Sequence, residues 1–222
     1  MHRHFDEELK ELKDLLLRMG AMAEDAIIRS VESLKALDKE AAVRLIEKDS
    51  EIDSLELVID EKCIDLIAKH QPMAGDLRFI TTAMKLNAEL ERIADLSVDI
   101  AQRTLSLADK PMLKPLEYIP RLGEIAKSMV HDAIDSFINS DAELAKKVVR
   151  SDNEADILKH TAYRVLVNDY IMKDGSTADR AVPLLLVSRH LERICDHAVS
   201  MAEDIIYMVN AKVVRHHPEE LG

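Results

Sequence analysis

Two stretches of the chain, 101 residues apart, read almost alike: LERIADLSVDIA at 90–101 and LERICDHAVSMA at 191–202. A repeat at that distance means that the fold is built twice, so any architecture must consist of two similar units. Other echoes agree with it. DSEID at 49–53 matches DNEAD at 152–156, and DKEA at 38–41 matches DAEL at 141–144, both 103 apart. Met22, Asp25, Ala26 and Ile27 match Met129, Asp132, Ala133 and Ile134 at 107. The spacing drifts by four and then by two, as small changes near helix ends would produce.

Each unit is expected to be helical. Only 5 Gly, 6 Pro, 3 Phe, 4 Tyr and no Trp occur in 222 residues, so turn formers and strand formers are both scarce. Prolines stand at 72, 111, 115, 120, 183 and 218, and the glycines at 20, 75, 123 and 175 are also sparse. Between them, apolar residues recur at helical spacing, predicting helices over 4–36, 39–70, 74–108, 118–138, 142–173 and 177–213. Asp38 and Asp141 stand where N-caps are needed, and KDGS at 173–176 reads as the last interhelical turn. Pro72 and Gly75 shape the turn before the third helix, and Pro183 falls in the first turns of the sixth, where it costs least. ADKPMLKPLEYIP at 108–120, with three prolines, reads as the joint. The expected organisation is all-α: one three-helix repeat over 1–108, a linker over 109–117, and a second repeat over 118–215. Whether the two bundles pack end to end or side by side stays open at this level.

Composition narrows the function. A charged fraction of 32% beside a hydrophobic fraction of 47% is that of a chain with a real core. The 42 acidic against 30 basic residues, a net charge of −12, disfavour a general nucleic-acid binder. The longest apolar run, 181–187, is far short of a membrane span, and the charged start MHRHFDEELK has no secretory h-region. Cys63 and Cys195 lie far apart without a CxxC pattern, so a reduced cytosolic chain is the expectation.

The acids carry the chemical signal. Residues i and i+4 of a helix differ by roughly 40° and share a face. Glu91 and Asp95 then border the apolar stripe of Leu90, Ile93, Ala94, Val98 and Ile100, and Glu192 and Asp196 repeat this beside Leu191, Ile194, Cys195 and Val199. Asp49 and Asp53 stand likewise beside Leu45, Ile52 and Leu55, as do Asp152 and Asp156 beside Val148, Ala155 and Leu158. Four like charges gathered at the rim of a core repel and lose hydration, so something must compensate them. A hard cation such as Mg, Ca, Mn or iron is one answer. Arg92, Arg193, Lys48 and Arg150 are another, since acid pairs at this spacing are common on solvated helix faces.

The remaining candidates are thinner. No His follows an acid by three residues, so the Glu-x-x-His ligation of di-iron bundles is missing, as are HExxH, GxxxxGK[ST] and GxSxG. His190 and His197 flank the second acid pair; His197 is a weaker candidate for a ligand or base, and Asp99 extends the first motif by a turn, though its counterpart is Ser200. His216 and His217 look like tail residues, and Met84, Met129 and Met201 like core filler. A carboxylate-bridged metal enzyme and a histidine phosphotransfer bundle using His160 or His197 are the competing classes; the HxxKG context usual for the latter is absent.

FDEELKELKDLLLRMG at 5–20, QPMAGDLRFI at 71–80, LERIADLSVDIA, LERICDHAVSMAEDIIYMV and the closing VVRH occur in this order in a duplicated chain. In this the sequence resembles the PhoU family of phosphate-specific transport accessory proteins over essentially its whole length. The resemblance implies two tandem antiparallel three-helix bundles and E(D)xxxD motifs that hold metal ions, usually iron or zinc and often multinuclear; Mg or Mn would also suit the donors. The positions that match are Asp49, Asp53, Glu91 and Asp95, then Asp152, Asp156, Glu192 and Asp196. Where the family often has Gly before the second acid, Ala94 and Cys195 stand here. The resemblance further implies a regulator and not an enzyme. It would repress the phosphate-starvation two-component response by contacting the sensor histidine kinase and the ATP-binding subunit of the phosphate ABC transporter. It would be a cytoplasmic homodimer, brought to the inner membrane face by those partners.

Overall fold

The computed structural model describes residues 2–113 and 117–212. They form six helices: α1 (His2–Ala36), α2 (Lys39–His70), α3 (Ala74–Leu107), α4 (Tyr118–Asn139), α5 (Ala142–Arg164) and α6 (Ala178–Asn210). Among the described residues there is no strand. Pro115, part of the expected linker, lies outside the described residues, as do the closing VVRH at 213–216, His217 and Pro218.

The interhelical turns show why the chain folds twice in the same way. Leu37 ends α1 in the left-handed region, at φ 54°, and Ser140 ends α4 at φ 52°. The Asp38 N–H donates to the Ser33 carbonyl at 2.9 Å, and the Asp141 N–H to the Ser136 carbonyl at 2.8 Å. These Schellman-type closures satisfy carbonyls that the helix ends leave open. Each aspartate then caps the next helix: Asp38 accepts from the Ala41 N–H at 2.9 Å, and Asp141 from those of Glu143 and Leu144 at 3.0 Å. At the third turn Asp174 accepts from the Ser176 N–H at 2.9 Å and opens a short 3₁₀ turn, Gly175–Thr177.

The predicted fifth helix ends differently. Beyond Arg164 the backbone widens into a π-helical segment, Val165–Ile171, in which the Met172 N–H reaches back five residues to the Val167 carbonyl at 2.9 Å. Pro183 sits in the second turn of α6 and cannot donate to the Asp179 carbonyl. Lys110, from the joint between the repeats, supplies that bond instead, with Nζ 3.1 Å from the Asp179 oxygen.

The two bundles lie side by side and share one core. Leu12, Leu16, Ile27 and Leu34 of α1, Leu86, Leu90 and Ile93 of α3, Phe137 of α4 and Leu191 and Ile194 of α6 belong to one contiguous cluster, each fully buried. Met129 and Met201 are buried in it and Met84 packs on its edge, as core fillers do. Helices α3 and α6 run antiparallel along the seam, where Lys85 meets Asp204 at 2.8 Å, Glu89 meets His197 at 2.5 Å, and Asp99 meets His190 at 3.8 Å.

One expectation, the register that relates α1 to α4, needs correction. Gly20 and Gly123, inside the helices expected over 4–36 and 118–138, are buried in α1 and α4 where the two cross. A Cβ on Gly20 would stand 2.9 Å from Ile134 Cγ1, and one on Gly123 would stand 2.8 Å from Val31 Cγ2. Gly20 and Gly123 are 103 apart, as are Val31 and Ile134, so the duplicated register of α1 and α4 is 103. The match at 107 is a slip of four residues, about one helical turn, which leaves every side chain on nearly the same face.

Candidate functional site

The eight predicted acids come together as two faces, one on α2 and α3, the other on α5 and α6. In every pair the first acid (Asp49, Glu91, Asp152, Glu192) is half-buried and the second (Asp53, Asp95, Asp156, Asp196) is exposed. This is what a rim position produces. The apolar stripe draws the first acid partly under its neighbours, and the 40° rotation swings the second outward.

In the first face, burial pushes the Asp49 carboxyl above its usual range, and the charges of Asp53 and, across the helix pair, Asp95 add to it. Glu91 and Asp95 are raised for the same reasons, burial first and then neighbouring acids. The set is larger than predicted. Glu56 belongs to it, raised by burial and then by Asp60, Asp53 and Asp95. The fully buried Asn87, one turn before Glu91, donates to the Glu56 carbonyl at 2.9 Å and to Asp60 at 3.0 Å. Its own carbonyl oxygen is buried and has no partner. Of the cations suggested as neutralisers, Arg92 reaches for Glu89, at 3.4 Å.

The second face is organised otherwise. Burial and then Asp196, Asp156 and Glu192 drive the Asp152 carboxyl up to about 6, against the lowering influence of Lys159. Asp196 is also raised, by burial and then Glu192 and Asp156. Lys159 donates from Nζ to Glu192 and stands 3.9 Å from Asp156, its side chain 29% exposed. Lys159, three residues after Asp156, is a neutralising charge beyond the Arg193 and Arg150 that the sequence suggested. The sequence signal was there, since Lys159 takes the place that Glu56 has in the first repeat, but its main partner lies on another helix.

The two further candidates point into the seam. His197 holds Glu89 through Nδ1, and Asp99 faces His190. Cys195, fully buried beside Asp196, has its thiol pushed strongly up by burial and then by the acids around it, so it is a neutral thiol and not a thiolate ligand. Cys63 is likewise buried, its thiol pushed up to about 12.

The chemistry of the first face fits a hard cation: oxygen donors only, mutual repulsion at the rim of a core, and a buried amide oxygen without a partner. The second face has the same four carboxylates but contains an ammonium. Among the described residues no three His, Cys, Asp or Glu side chains converge closely enough to hold an ion from the positions they take. Holding an ion there would require the carboxylates to move from these positions.

Fold and faces together define a duplicated all-α protein with two repeat-related acidic surfaces on one shared core. A family profile described as the PhoU domain matches residues 16–104 and again 119–205. The chain is 41% identical over 216 residues to a phosphate-specific transport system accessory protein PhoU homolog of Aquifex aeolicus, covering 97% of each chain. It is 34% identical over 215 residues to the accessory protein PhoU of Escherichia coli, covering 96% of this chain and 88% of that one. The crystal structure of PhoU from Pseudomonas aeruginosa superposes with a TM-score of 0.89 at 35% identity, over 94% of this chain and all of the other. That of a phosphate transport system regulatory protein PhoU from Streptococcus pneumoniae does so with 0.87 at 27%, over 95% and 99%. The chain belongs to the PhoU family.

Proposed function

We propose that the protein is a regulatory accessory of phosphate uptake. In this reading it lowers the phosphate-starvation response when phosphate is plentiful and restrains the phosphate ABC transporter. The observation that carries this is the family relation over nearly the whole chain, to relatives named as transport-system accessory and regulatory proteins. The architecture suits the role, since long helices on one core offer broad, rigid faces to partners. The partners proposed are the sensor histidine kinase and the ATP-binding subunit of the transporter, met at the cytoplasmic face of the membrane. Among the described residues no helix is long and apolar enough to cross a membrane. A strain lacking the gene should express alkaline phosphatase constitutively at high phosphate. Normal repression in that strain would overturn the reading.

The metal is part of the same proposal. Asp49, Asp53, Glu91 and Asp95, with Glu56 beside them, would hold a hard divalent cation whose charge offsets their repulsion and ties α2 to α3. Raised carboxyls and the unpartnered Asn87 oxygen support this. Elemental analysis of wild type beside Glu91→Ala/Asp95→Ala is the test: metal should be lost with the two acids, and unchanged content would refute the site.

A further inference from the structure

The two acid faces are copies in sequence but not in charge. Asp49 and Asp53 correspond to Asp152 and Asp156 at a spacing of 103, and the same spacing sets Glu56 against Lys159 and Asp60 against Tyr163. On the partner helices, at 101, Glu91 and Asp95 correspond to Glu192 and Asp196, while Asn87 corresponds to Ser188 and Asp99 to Ser200. The first repeat thus extends its four acids with Glu56 and Asp60. The second lacks both extensions and carries a cation in place of one of them.

That cation is placed to serve the whole face. Lys159 Nζ donates to Glu192 of α6, whose side chain is 16% exposed, and lies 3.9 Å from Asp156 of its own helix. It bridges α5 and α6 as a metal ion shared by the two motifs would. We propose that the Lys159 ammonium is the resident cation of the second face, so that of the two duplicated acid sets only the first takes a divalent metal. This rests on the metal reading for the first face, but makes its own claim about the second. A tethered ammonium supplies its charge at no cost in ion concentration, and its like charge opposes any divalent ion brought within a few ångströms. The protein would then carry one responsive site and one fixed internal salt bridge on otherwise equivalent helix pairs.

The test is a Mn²⁺ titration of EDTA-stripped full-length protein, with free Mn²⁺ read by electron paramagnetic resonance and helicity checked by circular dichroism. The variants are Asp152→Asn/Asp196→Asn, Glu91→Gln/Asp95→Asn, Lys159→Gln, and Lys159→Gln combined with Asp152→Asn/Asp196→Asn. Wild type should bind at the first face alone, its isotherm untouched by Asp152→Asn/Asp196→Asn. Lys159→Gln should gain a second class of sites, at least roughly tenfold tighter than anything wild type shows at that face, and the combined variant should lose it again. If wild type loses Mn²⁺ through Asp152→Asn/Asp196→Asn, or if Lys159→Gln gains nothing, the proposal is overturned. The metal reading for the first face fails separately, on a wild-type isotherm that Glu91→Gln/Asp95→Asn leaves unchanged. Lys159→Gln still decides the second face in that event.

Discussion

Gly20 of α1 lies against Ile134 of α4 so closely that a Cβ built on the glycine would stand 2.9 Å from Ile134 Cγ1, and the repeat reproduces the contact with Gly123 against Val31. These are the places where the two bundles approach backbone to side chain. The branched side chains cannot swing away, because a β-branched residue in a helix has one strongly preferred χ1.

Gly20→Ala tests this with a change of sign. In a free helix it would gain about 1 kcal/mol of propensity. Here overpacking should win, and thermal or urea unfolding should show a loss of about 1–3 kcal/mol. In an Ile134→Ala background, where the clashing Cγ1 is gone, the same Gly20→Ala should become neutral or stabilising. A loss of equal size in both backgrounds would show that the contact is not the cause.

The duplicated turns give a second expectation. Asp38→Ala and Asp141→Ala each remove the acceptor from an N-terminal N–H and should cost about 1 kcal/mol. Ser140→Gly should have the opposite effect. Ser140 is exposed and held at φ 52°, where glycine is at ease, so a gain of about 0.5–1 kcal/mol is expected in urea unfolding. A gain for Ser140→Gly and a loss for Asp141→Ala in adjacent positions separates backbone conformation from capping.

What was legible in the sequence follows from how local each signal is. The caps at Asp38 and Asp141 need only their own turn, and both are where the pattern puts them. The acid pairs need only the period of one helix, and the rim positions of Asp49, Glu91, Asp152 and Glu192 came out as that period requires. The close packing at Gly20 and Gly123 was not legible, because nothing local shows that a helix glycine's missing side chain makes room for a distant one. The 107-residue match failed for a related reason, since a one-turn slip preserves the face and so preserves the pattern. Lys159 was missed because the charge it balances, Glu192, belongs to another helix. For the π-helical stretch at 165–171 the sequence offers no evident signal.

The electrostatics of the second face yield a pH test. Asp152 is driven up to about 6 by burial and then by Asp196, Asp156 and Glu192. An acid whose folded value lies above its unfolded one, near 3.8, penalises the fold when ionised. The penalty is complete above the folded value and vanishes as pH falls from about 6 toward 3.8. Asp152→Asn, a near-isosteric neutral group, should therefore stabilise the EDTA-treated protein at pH 7.5. Asp152 is only half-buried, so solvent screening holds the gain to about 1 kcal/mol. Urea unfolding of both proteins across pH 4 to 7.5 should show this advantage shrinking from the neutral side and gone near pH 4. An advantage that does not change with pH would mean that the variant acts by packing, and that the charge of Asp152 does not strain the face.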